Sequence, residues 1–264
     1  MDLGLSGKTA VVSGSTAGIG FAIAALLAEE GASVVVNRRT EARVTEAVNK
    51  IRASGKKVDV RGVAADLGTA QGAEKFLKEV KTADILINNL GIFEPKPFLE
   101  IPDADWTRFF EVNVLSGVRL ARAYLPGMLK KNWGRIIFVS SESGQQIPAE
   151  MVHYGMTKTA QIAIARGLAE TVAGTGVTVN SVLPGPTASE GVEGFVENLA
   201  KQQGISKSEI ERQFFVNARP SSLLKRFETP EEIAAVVAFV ASTQSVTMNG
   251  SAVRAEGGVI RSIL

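Results

Sequence analysis

Short apolar runs alternate with longer segments of helical periodicity along the chain. The apolar runs are rich in β-branched residues and predict seven strands, at 9–13, 33–37, 58–63, 84–88, 135–140, 177–183 and 252–254. Apolar residues at helical spacing predict helices at 19–30, 41–53, 70–80, 103–131, 153–173 and 231–242. We expect the long fourth helix to bend near Pro126, and Thr229 with Pro230 and Glu232 predicts a capped start for the last helix.

Continuously apolar strands between helices indicate a sheet that is covered on both faces and therefore mostly parallel. The pattern predicts one α/β domain over 1–264, a doubly wound sandwich around a mostly parallel seven-stranded sheet. Such folds bind ligands beyond the carboxyl ends of their strands. The polar, glycine-containing stretch 186–222 follows the sixth strand, so we expect it to cover this crevice as a lid; the alternative is a plain surface excursion.

Composition narrows the classes of partner. The chain has 29 Lys and Arg against 27 Asp and Glu, a net charge of +2, which argues against a nucleic-acid-binding surface. It has no cysteine and a single histidine, His153, so disulfides and thiolate metal sites are excluded and little remains for any metal centre. Residues 1–8 lack the features of a secretion signal, and no apolar run reaches membrane-spanning length. We therefore expect a cytoplasmic protein with no membrane span.

A glycine-containing loop joins the first strand to its helix. Its residues are Ser13-Gly14-Ser15-Thr16-Ala17-Gly18-Ile19-Gly20. Glycines allow a tight turn and a close approach of the backbone to a pyrophosphate, and the helix N-terminus offers N–H groups to an anion. A tight turn without a ligand is the alternative, but the position after the first strand of an alternating pattern favours a dinucleotide.

The second strand ends in Asn37-Arg38-Arg39. A carboxylate at this point would bind the ribose 2′-hydroxyl of NAD and repel a 2′-phosphate, and none is present. Guanidinium groups suit a phosphate. The sequence therefore predicts NADP(H) as the preferred cofactor with NAD(H) possible; two solvated arginines are the alternative.

Tyr154 and Lys158 lie four residues apart on a predicted helix and so share a face. A nearby ammonium group lowers the pKa of a tyrosine, which can then exchange a proton near neutral pH. The spacing alone is common by chance. Ser140 and Ser141 end the fifth strand and Asn113 lies in the preceding helix, so the fold brings these polar groups toward one edge of the sheet.

These motifs together resemble the short-chain dehydrogenase/reductase family, in its compact single-domain form similar to 3-oxoacyl-[acyl-carrier-protein] reductases. The resemblance runs from about Leu5 to the C-terminus. It includes the glycine loop and segments at Asp66-Leu67, Asn88-Asn89-Leu90-Gly91, Pro184-Gly185-Pro186-Thr187 and Ala255-Glu256-Gly257-Gly258. Asn113, Ser141, Tyr154 and Lys158 match the family's catalytic four. Ser141 is chosen over Ser140 by its spacing to the tyrosine and to Gly144.

The resemblance implies a Rossmann-type three-layer fold and hydride transfer between NADP(H) and a ketone, aldehyde or alcohol. Tyr154 would be the general acid/base, Lys158 would lower its pKa and hold the nicotinamide ribose, Ser141 would bind the substrate oxygen, and Asn113 would anchor a water. The implied cofactor contacts are Gly14, Ser15, Thr16, Gly18, Ile19, Gly20, Asn37, Arg38, Arg39, Asp66, Leu67, Asn89, Gly91, Tyr154, Lys158, Pro184, Gly185 and Thr187. It also implies a homodimer or homotetramer.

Two features depart from the family pattern or adjoin its catalytic residues. Leu90 replaces a small alanine, so local packing beside the cofactor must differ. His153 adjoins Tyr154 but points about 100° away on a helix, so we expect it to line the entrance. Two other functions compete with an oxidoreductase. A non-catalytic NAD(P)-binding sensor would be favoured by a lost tyrosine or lysine, and a nucleotide-sugar epimerase or dehydratase by a longer C-terminal region.

Overall fold

The computed structural model describes residues 1–53 and 59–263. Seven strands form the sheet: β1 Thr9–Val12, β2 Ser33–Arg38, β3 Val60–Ala64, β4 Ile85–Asn88, β5 Gly134–Val139, β6 Val177–Pro184 and β7 Ala252–Ala255. The helices are α1 Gly18–Glu29, α2 Glu41–Ala53, α3 Ala70–Glu79, α4 Asp103–Phe110, α5 Ser116–Lys131, α6 Val152–Thr171, α7 Glu190–Gln203, α8 Lys207–Asn217 and α9 Pro230–Ala241. Val58, the first residue of the predicted third strand, lies outside the described residues, as does Leu264.

The strands are ordered β3-β2-β1-β4-β5-β6-β7 and every pairing between them is parallel. Val11 of β1 lies in register with Val35 of β2 on one side and with Leu86 of β4 on the other. Strands β2 and β3 therefore lie on one side of β1, and β4 to β7 lie on the other. The strand order reverses between β1 and β4, and in this fold a crevice opens beyond the carboxyl ends of these two strands. The glycine loop and Asn89 follow these two strands and so lie at this switch point.

Two hydrophobic clusters cover the two faces of the sheet. Val12 of β1 packs in the cluster formed with α1, α2 and α9, which includes Ile23 and Val237. Val11, on the opposite face, packs in the cluster formed with α3, α5 and α6, which includes Phe76 and Leu120. Alternate residues of one strand thus enter different cores, and the predicted doubly wound, three-layer α/β fold is confirmed.

The predicted helix 103–131 is three segments in the structure. A π-helical turn at Glu111–Leu115 separates α4 from α5. Pro126, the position of the predicted bend, lies inside helix α5. The π turn contains Asn113, and one extra residue in a helical turn re-aims the side chains around it.

The segment 186–222 contains helices α7 and α8, which the sequence analysis did not predict. Helix α7 ends at Gly204 in a left-handed conformation, φ +66°, and the Ser206 side chain caps α8 by accepting from Glu209 N at 3.2 Å. Glycines within α7 weaken its helical signal, which is why the pattern looked irregular. The predicted cap of α9 is present in full, with Thr229 and Glu232 forming a reciprocal capping box.

Candidate active site

A cavity of about 710 Å³ lies at the carboxyl edge of the sheet. The loops after β1, β4 and β5 form its floor, and the segment 186–222 forms its opposite wall. This wall is apolar where Val192, Val196, Ile210 and Phe214 face inward. Twelve predicted site residues line the cavity: Gly18, Ile19, Gly20, Arg38, Asn89, Gly91, Ser141, Tyr154, Lys158, Pro184, Gly185 and Thr187.

Eight predicted site residues are not part of this lining. They are Gly14, Ser15, Thr16, Asn37, Arg39, Asp66, Leu67 and Asn113. Several have a role in the protein itself that explains their position. Leu67 is buried in the core, and Asp66 Oδ1 accepts from Gly68 N at 3.1 Å.

Hydrogen bonds of Ser15 hold the glycine loop against β1 and β2, and Gly18 and Gly20 of the loop line the cavity. Ser15 Oγ donates to Val12 O at 2.6 Å and accepts from Asn37 N at 2.9 Å. Gly14 has a φ of +62°, and a side chain at Gly20 would lie 2.4 Å from Gly14 O, so the turn requires glycine at both positions. The backbone is therefore held in a tight turn.

This turn presents polar groups that the protein leaves unpaired. Within the part of the chain that the structure describes, the buried Thr16 Oγ1 has no hydrogen-bond partner. Ala17 precedes α1 without a side-chain cap, so the first N–H groups of that helix stay available. An uncapped helix N-terminus beside an orphaned hydroxyl fits the pyrophosphate of a dinucleotide.

The predicted trio at the end of β2 separates into three environments. Asn37 is buried and its Nδ2 donates to Val63 O at 3.0 Å and Ala65 O at 3.1 Å, so this amide joins β2 to β3. Arg38 lines the cavity, where burial, with Arg39 and Arg43 nearby, lowers its pKa. Arg39 is exposed. Arg38 is therefore the member of the trio that lines the cavity.

Asn89 supports the glycine loop from the neighbouring strand. Its Nδ2 donates to Ser13 O at 3.1 Å and Gly14 O at 3.0 Å. Ser13 Oγ in turn accepts from the backbone of Asn89 and Leu90, each at 3.0 Å. Leu90 packs against the core formed with α3, α5 and α6, so its larger side chain is accommodated beside the loop.

Ser141, Tyr154 and Lys158 meet on one wall of the cavity. Ser141 Oγ donates to Glu142 Oε2, and Lys158 Nζ lies 5.6 Å from the centroid of the tyrosine ring. The neighbouring Ser140 hydroxyl is used within the protein, since its Oγ donates to the backbone oxygen of Lys158 at 2.8 Å. The four-residue spacing in α6 thus places the phenol and the ammonium group side by side.

The pKa values of this pair move in opposite directions. Burial and the nearby Glu142 carboxylate raise the pKa of Tyr154, and these effects outweigh the lowering influence of the Ser141 hydroxyl and of the Arg219 charge. The expected lowering by Lys158 does not dominate in this structure. Burial lowers the pKa of Lys158 to about 8, against the attraction of Glu142. The phenol of Tyr154 is therefore protonated at neutral pH, while the pKa of the Lys158 ammonium lies close to neutral pH.

Asn113 lies beneath this wall. Its side chain exchanges hydrogen bonds with the backbone of Ile92 and donates to Thr157 Oγ1 at 3.0 Å. Its backbone carbonyl accepts from Gln161 Nε2 at 2.6 Å, and Gln161 Oε1 accepts from Lys158 Nζ at 3.2 Å. Asn113 therefore reaches Lys158 through Gln161.

The turn after β6 is held by a buried carboxyl group that the sequence analysis missed. Gly185 N donates to Glu228 Oε2 at 3.0 Å and to Ala255 O at 3.0 Å. Burial, with the negative charges of Glu232, Glu256 and Glu142, raises the pKa of Glu228 to about 7, against the hydrogen bond from Gly185. Glu228 precedes a helix cap, and no local signal marks it as part of the site.

A second missed group is Arg219, which follows α8. Arg219 Nε donates to Glu142 Oε1 at 2.9 Å and Nη1 donates to Glu150 Oε1 at 3.0 Å. The sequence carries no local signal for these pairs, because Arg219 is 77 residues from Glu142 and 69 from Glu150 along the chain. This contact ties the end of α8 to the residue after Ser141.

His153 does not line the entrance, contrary to the prediction. Its ring is fully buried, 4.1 Å from the centroid of Phe109 and 6.0 Å from that of Trp106. Burial lowers its pKa, against the nearby charges of Asp105 and Glu94. Helix α4 packs on this face of α6 and covers the residue.

Two further properties bear on partners. Across residues 1–53 and 59–263, no helix combines the length and apolar character that crossing a bilayer requires. The same described residues contain no group of three or more His, Cys, Asp or Glu side chains placed to hold a metal ion.

Comparison with known proteins gives a consistent picture. The family model for short chain dehydrogenases matches residues 8–200. The chain is 47% identical over its full length to YvaG of Bacillus subtilis (strain 168), described as an uncharacterized oxidoreductase and also covered in full. It is 33% identical to a 3-oxoacyl-[acyl-carrier-protein] reductase of Vibrio cholerae, covering 97% of this chain and 99% of that protein. The L-sorbose reductase of Gluconobacter frateurii, solved with NADPH and L-sorbose, superimposes over both whole chains with a TM-score of 0.94 at 32% identity.

Proposed function

Since the chain belongs to the short chain dehydrogenase family, we propose that it is an NADP(H)-dependent oxidoreductase interconverting a ketone or aldehyde and an alcohol. One observation carries the proposal. Ser141, Tyr154 and Lys158 line the same cavity as the glycine turn after β1 and the Pro184-Gly185 turn after β6. Proton-handling groups and the turns proposed to bind a dinucleotide therefore line one cavity.

The residues present fit a dinucleotide. The uncapped start of α1 and Thr16 Oγ1 would hold its pyrophosphate, and Asn89, Gly91, Pro184, Gly185 and Thr187 would flank its nicotinamide half. When bound, the cofactor supplies or accepts the hydride. Arg38 would bind a 2′-phosphate, which favours NADP(H) over NAD(H). NADPH in the similar L-sorbose reductase structure supports this preference.

Tyr154 is the proposed general acid in carbonyl reduction. Its phenol is protonated at neutral pH, because burial and Glu142 raise its pKa, and it faces the cavity beside Ser141. The phenol donates its proton to the substrate oxygen, and the Lys158 ammonium stabilises the phenolate that remains. Ser141 binds the substrate oxygen. In alcohol oxidation the phenolate takes the proton back.

The remaining groups hold this arrangement and exclude water. Asn113 supports Lys158 through Gln161. We propose that 186–222 acts as a lid over a small carbonyl or alcohol substrate, since its apolar side chains close one side of the cavity. We propose a homodimer or homotetramer, since Phe110 of α4 and Leu129 of α5 are exposed apolar residues on helices that pair across subunits in this family. We also propose a cytoplasmic location.

The test is NADPH oxidation, followed by absorbance, across a panel of ketones and aldehydes, with NADPH binding measured separately by fluorescence. Turnover that falls about a thousandfold in Tyr154→Phe, with NADPH affinity unchanged, is the expected result. Near-normal turnover in that variant would contradict the role of Tyr154. Intact NADPH binding with no turnover on the whole panel would instead favour a sensor.

A further inference from the structure

A carboxylate is buried directly beside Ser141. Glu142 is only 4% exposed and begins a short helical turn, Glu142–Gly144. Its Oε2 accepts from the Ser141 hydroxyl, from Ser143 N at 2.7 Å and from Ser143 Oγ at 3.0 Å. The Ser141 proton therefore points at a carboxylate in this structure.

The other oxygen of the same carboxylate binds the chain beyond α8. Glu142 Oε1 accepts from Arg219 Nε at 2.9 Å, and Arg219 is 8% exposed. Taking both charges out of water is costly, and a well-packed apolar pair often gives equal or greater stability. A buried ion pair at this position is therefore poorly explained by stability alone.

These contacts fix the direction of the Ser141 hydroxyl. A serine hydroxyl has one proton, and Ser141 donates it to Glu142. The Ser141 oxygen also accepts from Ser143 N at 3.1 Å. Arg219 holds the same carboxylate from its other side, so the Ser141 hydroxyl, the Glu142 carboxylate and the Arg219 guanidinium form one series.

We infer that Glu142 and Arg219 are positioning residues that orient the Ser141 hydroxyl, on the cavity wall it shares with Tyr154, and connect it to the end of helix α8. The inference rests on the proposed roles of Ser141 and Tyr154 in carbonyl reduction. The negative charge of Glu142 also favours the protonated phenol, which is the form that carbonyl reduction requires. Opening of the segment after α8 would withdraw Arg219 from Glu142 and release the Ser141 hydroxyl from this orientation.

The groups that face Tyr154 define what a pH profile reports. Ser141 and Glu142 lie on the loop after β5, Lys158 on the same helix α6, and Arg219 after α8. Glu142 and Arg219 act on the phenol in opposite directions, with Glu142 the stronger of the two. Replacing Glu142 by a neutral residue should therefore move the titration of Tyr154 to lower pH.

Glu142→Gln is the first test, because glutamine keeps the shape and removes the charge. We expect kcat for carbonyl reduction to fall on the order of tenfold to a hundredfold, less than for loss of a whole oxyanion-type donor. The falling limb of its pH profile should move to lower pH, while the Kd for NADPH changes less than about twofold. A variant with the wild-type kcat and pH profile would overturn the inference.

The double variant Glu142→Gln/Arg219→Met separates positioning from stability. It leaves no unpaired buried charge, so its Tm should recover toward wild type while its pH profile stays displaced. A double variant with the wild-type profile would reduce the pair to a structural role and overturn the inference. The same comparison applies if the single variant does not fold.

The matched control is Arg212→Lys, on the same helix α8. Arg212 pairs with Glu209 at 2.6 Å but is exposed to solvent, so kcat and the pH profile should match wild type. Failure of the proposed function is distinguishable, because wild-type protein would then bind NADPH and turn over no carbonyl. Failure of this inference leaves wild-type turnover intact and shows only in the variants.

Discussion

Asn113 and Ile92 exchange two hydrogen bonds at the carboxyl edge of the sheet. Asn113 Nδ2 donates to Ile92 O at 3.0 Å, and Ile92 N donates to Asn113 Oδ1 at 2.8 Å. The π turn between α4 and α5 presents the Asn113 side chain to this loop, and Ile92 lines the cavity. The Asn113 side chain therefore holds the cavity wall, and its backbone carbonyl supports the environment of Lys158 through Gln161.

Asn113→Ala should destabilise the protein and lower activity. It leaves the Ile92 N–H and C=O without these partners, at a cost of roughly 2–4 kcal/mol in the free energy of unfolding. Urea unfolding measures this change. Asn49→Ala, at an exposed position of α2, is the control and should change stability by less than about 0.5 kcal/mol. Equal stabilities for the two variants would refute the bridging role of Asn113.

Arg38→Ala should weaken NADPH binding selectively. Loss of a guanidinium that faces the cavity is expected to raise the Kd for NADPH on the order of tenfold to a hundredfold at low salt, because hydrogen bonds between charged groups are strong. The Kd for NADH should change little. Arg39→Ala is the matched control, since Arg39 is exposed and lies outside the cavity lining. Equal loss of both cofactors would assign Arg38 to general folding instead.

Gly20→Ala should disrupt the phosphate-binding turn. The added methyl would lie 2.4 Å from Gly14 O and from Asn89 Nδ2, and the backbone carbonyl cannot move away alone. We expect unfolding free energy to fall by about 1–3 kcal/mol and NADPH affinity to fall with it. Thermal unfolding with and without NADPH measures both effects.

Gly167→Ala is the matched control for this variant. Gly167 lies within α6, and a side chain there would meet no atom within 4 Å. Alanine should therefore stabilise the helix by up to about 1 kcal/mol. A Gly20→Ala protein as stable as wild type would show that the turn has room for a side chain.

Glu228→Gln should make stability less dependent on pH. The raised pKa of Glu228, about 7 against an ordinary 4.5, means that the folded state favours the protonated carboxyl. Its contribution is complete below pH 4.5 and is lost as pH rises through about 7. The variant stays neutral and keeps an acceptor for Gly185 N, so it should exceed wild type at pH 8 by on the order of 1–3 kcal/mol.

Chemical unfolding at pH 5 and pH 8 tests this expectation. The two proteins should be nearly equal in stability at pH 5, because this pH lies well below the pKa of Glu228 and the carboxyl is protonated in the folded protein. Glu231→Gln, an exposed neighbour, controls for loss of one negative charge near the start of α9. A gap between wild type and Glu228→Gln that is independent of pH would rule out titration of this carboxyl.

Local pattern by itself determined the strand positions, the parallel sheet and the glycine turn. These features depend on residues that are close together in the sequence. The strands are short runs of β-branched residues, and the turn needs a positive φ that glycine adopts readily at position 14. It also predicted the pairing of Tyr154 with Lys158, since a helix brings residues four apart together. The sequence alone was therefore sufficient for the fold and for the centre of the candidate site.

Only the tertiary structure decided which predicted groups face the cavity. Asn37 and Arg38 are neighbours in sequence, yet the amide is bonded to β3 and the guanidinium lines the cavity, because successive side chains of a strand point to opposite faces. Arg219 meets Glu142 across 77 residues, and no local periodicity encodes a contact of that separation. Burial, which sets the pKa of Tyr154 and Glu228, likewise exists only once distant segments have packed together.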